Sequence, residues 1–328
     1  MALIFTVVGA SAFTSFSLSS TATILPGVRY LVIIVMENEP LSSVYNCAYT
    51  PNCAYITGLA DNNSFAKNYY VTSCGSTADY LTLTGASGFN MGCLSCPPLS
   101  CGSSIWPLPY QNIVDRIESS QRTWKAYMED YPGSGTGANY SSGGCYLDNN
   151  GKYAVDHNPF VYYADIENST SRCSRIVRAN TNTTISRPEV DDLLLNDLQS
   201  PSTASNLIWL TPNLCDDMHD LCYGPTSVAE GNQYLSKLVP SILNSPIFKT
   251  GQAALFLTWD EGNYFSTPTT QEVAAIWAGS EIKTQYCNCS TTQYYSHASF
   301  PKTLETIWNL QSLNQQDTTS PSMIEFFG

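Results

Sequence analysis

All three histidines of the chain stand close to carboxylates or at turns, and few other segments carry groups able to do chemistry. Glu37-Asn38 follows an apolar run, and Asp260-Glu261 follows another. A single loop holds Asp216, Asp217, His219 and Asp220 between Cys215 and Cys222. His157 and His297 lie on further loops, and Ser76 follows Cys74-Gly75 where a helix is expected to start. Oxygen-rich donors with a few imidazoles suit one or two divalent cations of unspecified identity. Like charges crowded in one loop repel unless a cation or partner offsets them. A serine beside such a centre suits phosphoryl transfer through a covalent intermediate, with histidines orienting oxygens or protonating the leaving group. Each feature also has an ordinary reading. Glu37-Asn38 can begin a solvated turn, the acidic loop can be a solvated surface, and Ser76 can be a helix N-cap. An N-cap and a nucleophile are compatible roles, since helix N-terminal amides stabilise anions.

The elements that must position these groups follow from the apolar runs. Tyr30-Leu-Val-Ile-Ile-Val-Met36 and Ala253-Ala-Leu-Phe-Leu-Thr-Trp259 lack alternation, the pattern of strands buried on both faces of a parallel sheet. In open α/β sheets ligands bind beyond the carboxyl ends of strands, where Glu37 and Asp260 are delivered. Further strands are expected at Phe65–Val71, Asn206–Leu210 and Val273–Trp277. Helices are expected over Asn112–Asp130, Arg187–Gln199 (with Pro188 near its first turn), Ser227–Leu243 and Ala298–Leu310. Residues 86–106 and 131–152 are rich in Gly, Ser and Cys and read as loop-rich insertions. The fold class is therefore α/β, a doubly wound αβα sandwich with a mostly parallel central sheet and disulfide-tied loop insertions. Residues 25–328 form one domain, and 1–24 read as a leader.

The 328 residues carry a net charge of −13, and only 12% are charged, about half the usual share. This balance argues against nucleic acid or an anionic membrane as the main partner. The twelve cysteines lack zinc-ribbon spacing and point to disulfides, with Cys47 and Cys53 stapling one tight loop. Sequons at Asn62, Asn139, Asn168, Asn182 and Asn288 fit N-glycans on a secreted or cell-surface protein. Met1 to Phe13 resembles a signal-peptide apolar region, although no Lys or Arg precedes Arg29. No other segment is long and apolar enough to span a membrane.

Val35-Met36-Glu37-Asn38, Pro212-Asn-Leu-Cys-Asp-Asp-Met-His-Asp220, Thr258-Trp-Asp-Glu-Gly262 and Tyr295-Ser-His297 followed by Lys302-Thr-Leu-Glu305 resemble the phosphoesterase family of secreted acid phosphatases and non-specific phospholipases C, within the alkaline-phosphatase-like superfamily. His157-Asn-Pro-Phe160 and Trp124-Lys-Ala-Tyr127 match family segments as well. The resemblance implies that Glu37, Asn38, Asp260 and Glu261 are metal ligands. It implies that Asp217 and His219 with His297 line a second metal or phosphate position, and that His157 and Asn38 meet the substrate. Ser76 would be the nucleophile, with His219 and His297 also catalytic. The family segment His-Pro-Ser-Leu-Pro-Asn-Tyr is here Cys74-Gly-Ser-Thr-Ala-Asp-Tyr80, which keeps the serine and the tyrosine and leaves Thr77 as an alternative hydroxyl. The sulfatase pattern Cys/Ser-x-Pro-x-Arg is not met.

The expected activity is that of a secreted, metal-dependent acid phosphatase acting on a small phosphorylated substrate. A phospholipase C-type phosphodiesterase acting on a phospholipid head group is the alternative. A catalytically inactive cell-surface glycoprotein of the same fold is the alternative of another class. A Ser-His-Asp acyl-transfer triad fits less well, because no Gly-x-Ser-x-Gly elbow surrounds Ser76.

Overall fold

The structure is a computed structural model that describes residues 1, 27–47, 52–102, 105–182, 190–262, 271–289 and 292–328. The expected leader and the start of the expected Arg187–Gln199 helix fall outside the described residues. The strands are β1 (Tyr30–Met36), β2 (Ser64–Phe65), β3 (Tyr69–Tyr70), β4 (Trp124–Met128), β5 (Ile176–Arg178), β6 (Leu207–Thr211), β7 (Ala253–Trp259), β8 (Ala275–Gly279), β9 (Tyr286–Cys287) and β10 (Tyr295–Ser296). Eight of them form one sheet in the order β5-β4-β6-β1-β7-β8-β2-β9. The first five run parallel; β8 is antiparallel to both β7 and β2.

Every residue of β1 and β7 is buried, as their unbroken apolar sequences require when both faces of the sheet are covered. The two pair in register from Tyr30↔Ala253 to Met36↔Trp259. That register brings Glu37 and Asp260 out of the sheet side by side, with Asp260 N donating to Met36 O at 2.9 Å. Covering helices include Ser227–Leu243, with Thr226 as its side-chain N-cap, and Ser299–Trp308. The Ser76–Gly85 helix is buried along its whole length. Thr82 and Thr84 satisfy their hydroxyls within the helix, Thr82 Oγ1 donating to Ala78 O at 2.8 Å and Thr84 Oγ1 to Tyr80 O at 3.0 Å.

Three expected elements differ. The helix expected over Asn112–Asp130 ends at Ser119, and Trp124–Met128 is instead a strand between β5 and β6. Asn112 caps that shorter helix in a capping box with Asp115, and Gln121 takes a left-handed φ of 61° that stops it. The strand expected over Phe65–Val71 is split: Phe65 pairs with β8, whereas Tyr69 pairs with Tyr295 in a separate two-stranded sheet. The described part of the Arg187–Gln199 segment is helical only over Asp192–Asp197.

All twelve cysteines are paired: Cys47–Cys53, Cys74–Cys93, Cys96–Cys101, Cys145–Cys173, Cys215–Cys222 and Cys287–Cys289. Both loop-rich insertions are tied down this way. Among the sequons, Asn288 is fully buried and its Oδ1 accepts from Lys67 N at 2.8 Å, which leaves no room for a glycan in the folded protein. No described helix is long and apolar enough to cross a membrane.

Candidate active site

The parallel strands and the Ser76–Gly85 helix converge their ends on one buried cluster. Glu37 leaves β1, Asp260 and Glu261 leave β7, and Asp217 sits on the loop after β6. The 3₁₀ turn Val155–His157 inserts His157, and the Ser76–Gly85 helix begins with Ser76. All six side chains are at least nine-tenths buried. The loop after β6 is tied to β1 through Glu37 N, which donates to Asp217 O at 2.8 Å.

His157 Nδ1 lies 3.4 Å from Glu37 Oε1 and 3.3 Å from Asp217 Oδ2. Its ring stacks on Tyr80, with centroids 5.6 Å apart and planes 7° apart. Glu37, His157 and Asp217 each offer one ligand atom within 4.8 Å of the other two. Ser76 Oγ donates to Glu37 Oε2 at 3.3 Å, and Asn38 Nδ2 reaches the same oxygen at 3.3 Å. Asn38 N donates to Asp260 Oδ1 at 3.0 Å, which its left-handed φ of 56° makes possible. Gly75 N donates to Glu261 Oε2 at 2.9 Å. Gly75 has a φ of +116°, and an added Cβ would lie 2.8 Å from the Cys93 carbonyl carbon. Only glycine fits there.

The electrostatics call for a cation. Burial, then Asp260 and Asp217, pushes the Glu37 carboxyl well above its usual range. Burial and the neighbouring Asp260 push Glu261 up to about 7. Burial also raises Asp217 and Asp260, against the pull of His157. Asp79, on the first turn of the Ser76–Gly85 helix, is raised by burial and by Asp260 and Glu261. Burial would lower His157, but Asp217, Asp156 and Asp260 outweigh it and raise the imidazole to about 9. Among the described residues, Glu37 Oε1, Asp217 Oδ2 and Asp260 Oδ2 are buried without a hydrogen-bond partner, the first two facing His157 Nδ1 at 3.4 and 3.3 Å. Buried carboxylate oxygens left this way are costly unless a cation takes them, so the residues fit a single divalent-metal site.

The other two histidines are placed differently. His297 is fully buried behind Asp260: Nε2 meets the Asp260 carbonyl oxygen and Nδ1 faces the Tyr69 hydroxyl at 3.0 Å. Burial lowers it to about 4, so the ring is neutral. His219 is 39% exposed at the mouth, its Nδ1 2.9 Å from Asp220 Oδ1, while Asp220 Oδ2 takes Lys152 Nζ at 2.8 Å. Its ring lies 5.6 Å from that of His157. Thr77 is buried with its hydroxyl turned to the disulfide-tied loop, accepting from Cys96 N at 3.4 Å. Sequence reasoning missed Tyr80 as the stacking platform and Gly75 as the holder of Glu261. The Gly before Ser76 was the available signal for the second.

Residues 42–311 match the Phosphoesterase family. Among curated proteins, none is significantly similar in sequence. Solved structures share the fold at low identity. A protein in the alkaline phosphatase superfamily from Vibrio parahaemolyticus superposes with a TM-score of 0.58 at 12% identity, over 90% of this chain and 72% of that one. A putative sulfatase from Bacteroides thetaiotaomicron gives 0.53 at 10% identity, over 90% and 74%. A lipoteichoic acid synthase from Listeria monocytogenes gives 0.51 at 8% identity, over 95% and 84%. The α/β sandwich thus shares its fold with these proteins, and its buried Glu–His–Asp cluster fits a single divalent-metal site. With its match running from the first turn after β1 to the end of the Ser299–Trp308 helix, the chain belongs to the Phosphoesterase family.

Proposed function

We propose that the protein is a metal-dependent phosphoric-ester hydrolase that cleaves monoesters through a phosphoseryl intermediate on Ser76. One observation carries the reading: the Ser76 hydroxyl opens a buried helix and faces Glu37 Oε2 at 3.3 Å, inside the carboxylate cluster. Glu37, Asn38, Asp217, Asp260 and Glu261, with His157, would hold the divalent cation, which when bound offsets phosphate charge and favours the ionised serine hydroxyl.

Ser76 Oγ attacks phosphorus, and the Oγ–P bond forms as the bond to the leaving alcohol oxygen breaks. The Oγ proton has Glu37 Oε2 as its nearest acceptor. Amides at the start of the Ser76–Gly85 helix favour the incoming anion. Asn38 and His157 flank the substrate. His219 stands at the mouth with Nδ1 engaged by Asp220, which leaves Nε2 to protonate the leaving oxygen and then to activate water for dephosphorylation. His297 keeps the Asp260 backbone in place through its two occupied nitrogens. The six disulfides support reading the protein as exported, with N-glycans at exposed sequons such as Asn139 and Asn168.

A phospholipase C-type activity is the second reading. Leu94, Leu99 and Leu221 are exposed, the first two on the loop that packs against Gly75 and the third two residues beyond His219. Apolar side chains on loops beside the site would suit a lipid interface.

The test is hydrolysis of para-nitrophenyl phosphate against para-nitrophenyl phosphorylcholine, for wild type and Ser76→Ala, with added metals and with chelator, from acid to neutral pH. Monoester turnover lost in Ser76→Ala and with chelator is the expected result. Preference for the diester would move the assignment to the phospholipase reading. Turnover that survives Ser76→Ala would overturn the nucleophile.

A further inference from the structure

We propose that the opposite pole of the sheet carries a second, non-catalytic site for an oxyanion, the phosphate or sulfate group of a hydrophilic small molecule. Arg29, Thr123 and Asn206 immediately precede β1, β4 and β6, so they lie at the amino ends of these strands. Strand β1 separates Arg29 from Glu37 by about 25 Å. Between these strand starts and the 201–206 loop lies a recess of about 340 Å³, also lined by Tyr30, Arg175 and Ser205.

Among the described residues, no carboxylate lines this recess, in a chain whose net charge is −13. Two of its fourteen Lys and Arg side chains converge on it from different strand ends. Arg29 makes no ion pair among the described residues; its guanidinium lies 5.3 Å over the Tyr30 ring. Among the described carboxylates Arg175 approaches only Glu118, with Nε 3.9 Å from a group that Arg172 already holds at 2.8 Å, and its Nη1 donates a long bond to Trp124 O at 3.5 Å. The Arg175 position is steadied by Trp124, whose ring lies 6.0 Å from the guanidinium carbon. Asn206 bolts the strand starts together, accepting from Thr123 N at 2.9 Å and donating to Arg29 O at 3.0 Å. Tyr30 is 97% buried, and its hydroxyl has no hydrogen-bond partner among the described residues. Two guanidinium groups lining one recess, neither in a close ion pair among the described residues, offer the forked N–H donors that a tetrahedral oxyanion accepts. The recess is larger than a bare phosphate needs, and its hydroxyl-bearing walls fit a hydrophilic remainder.

The test follows amide hydrogen exchange in the full-length protein with inorganic phosphate, glycerol 3-phosphate or phosphatidic-acid vesicles, against chloride at matched ionic strength. Phosphate and glycerol 3-phosphate should slow exchange in peptides covering 27–30 and 201–206. Arg29→Gln/Arg175→Gln should weaken that protection by about a hundredfold in ligand concentration, roughly tenfold for each charged donor lost. Arg29→Lys, which keeps charge but not the fork, should weaken it by about threefold, less than full loss of the donor. Neither variant should change para-nitrophenyl phosphate turnover, since both residues lie far from Ser76. Equal protection by chloride, protection confined to peptides around Glu37 and Ser76, or unchanged protection in the double variant would each overturn the site. Protection by vesicles and not by glycerol 3-phosphate would overturn the soluble ligand.

Discussion

Ser76 Oγ donates to Glu37 Oε2 at 3.3 Å, while the neighbouring Thr77 hydroxyl turns away to Cys96 N. The two adjacent hydroxyls therefore have separate fates. Ser76→Ala is expected to lower turnover by about a thousandfold or more with little change in melting temperature. Thr77→Ala is expected to keep turnover within about tenfold and to lower stability by about 1 kcal/mol. Steady-state kinetics and thermal melts of both variants decide this. Comparable losses of turnover in the two would refute the assignment.

Gly75 is the hinge between the Cys74–Cys93 disulfide and Ser76. Any side chain would meet Cys93 backbone atoms at 2.8–2.9 Å, in a conformation with φ of +116°. Gly75→Ala should cost about 2–4 kcal/mol and displace both Ser76 and the amide that holds Glu261. Denaturant unfolding and kcat report the two effects. A stable, fully active Gly75→Ala protein would contradict the packing described.

Orphaned oxygens on Glu37, Asp217 and Asp260 should make stability respond to divalent cations. At free ion about a hundred times Kd, unfolding free energy should rise by about 3 kcal/mol. Chelator should reverse the gain, and Glu37→Gln should abolish most of it. Calorimetric scans across a series of metals would measure it, and a melting temperature indifferent to every metal would count against the site.

Asp191, behind the site, accepts from the Tyr234 hydroxyl at 2.6 Å and shares its burial with Glu129. Burial pushes Asp191 up to about 6, and burial with Asp191 and Asp216 nearby pushes Glu129 up further. A carboxyl raised on folding costs nothing below its unfolded pKa of about 4. Its cost grows as pH rises from about 4 to about 6 and is complete above. Asp191→Asn should therefore stabilise the protein near neutral pH, by on the order of 2 kcal/mol, and have little effect at pH 4. Urea unfolding at both pH values tests the sign, which would be opposite if Asp191 were ionised and favourably paired.

Strands β1 and β7 and the Ser227–Leu243 helix were legible because each carries its own period or unbroken apolar run. Trp124–Met128 was not. A strand buried on both faces need not alternate, and Trp124 and Tyr127, three apart, imitate one helical face. The chemistry was legible as a set of residues and not as an arrangement. Nothing local in Val155–His157 says that His157 will lie between Glu37 and Asp217, because three separate loops meet there. His297 read as a catalytic imidazole from its motif, and only the packing shows both nitrogens engaged by Asp260 and Tyr69.

The small sheet of β3 and β10 joins Tyr69, just ahead of the serine turn, to Tyr295, just ahead of His297. A growing chain therefore emerges from synthesis with its serine long before the strand that docks the serine's approach. Contacts of such long sequence range form late and slowly. A prematurely terminated product ending before Tyr295 would therefore carry every metal-ligand candidate, yet lack both His297 and the strand that pairs with Tyr69.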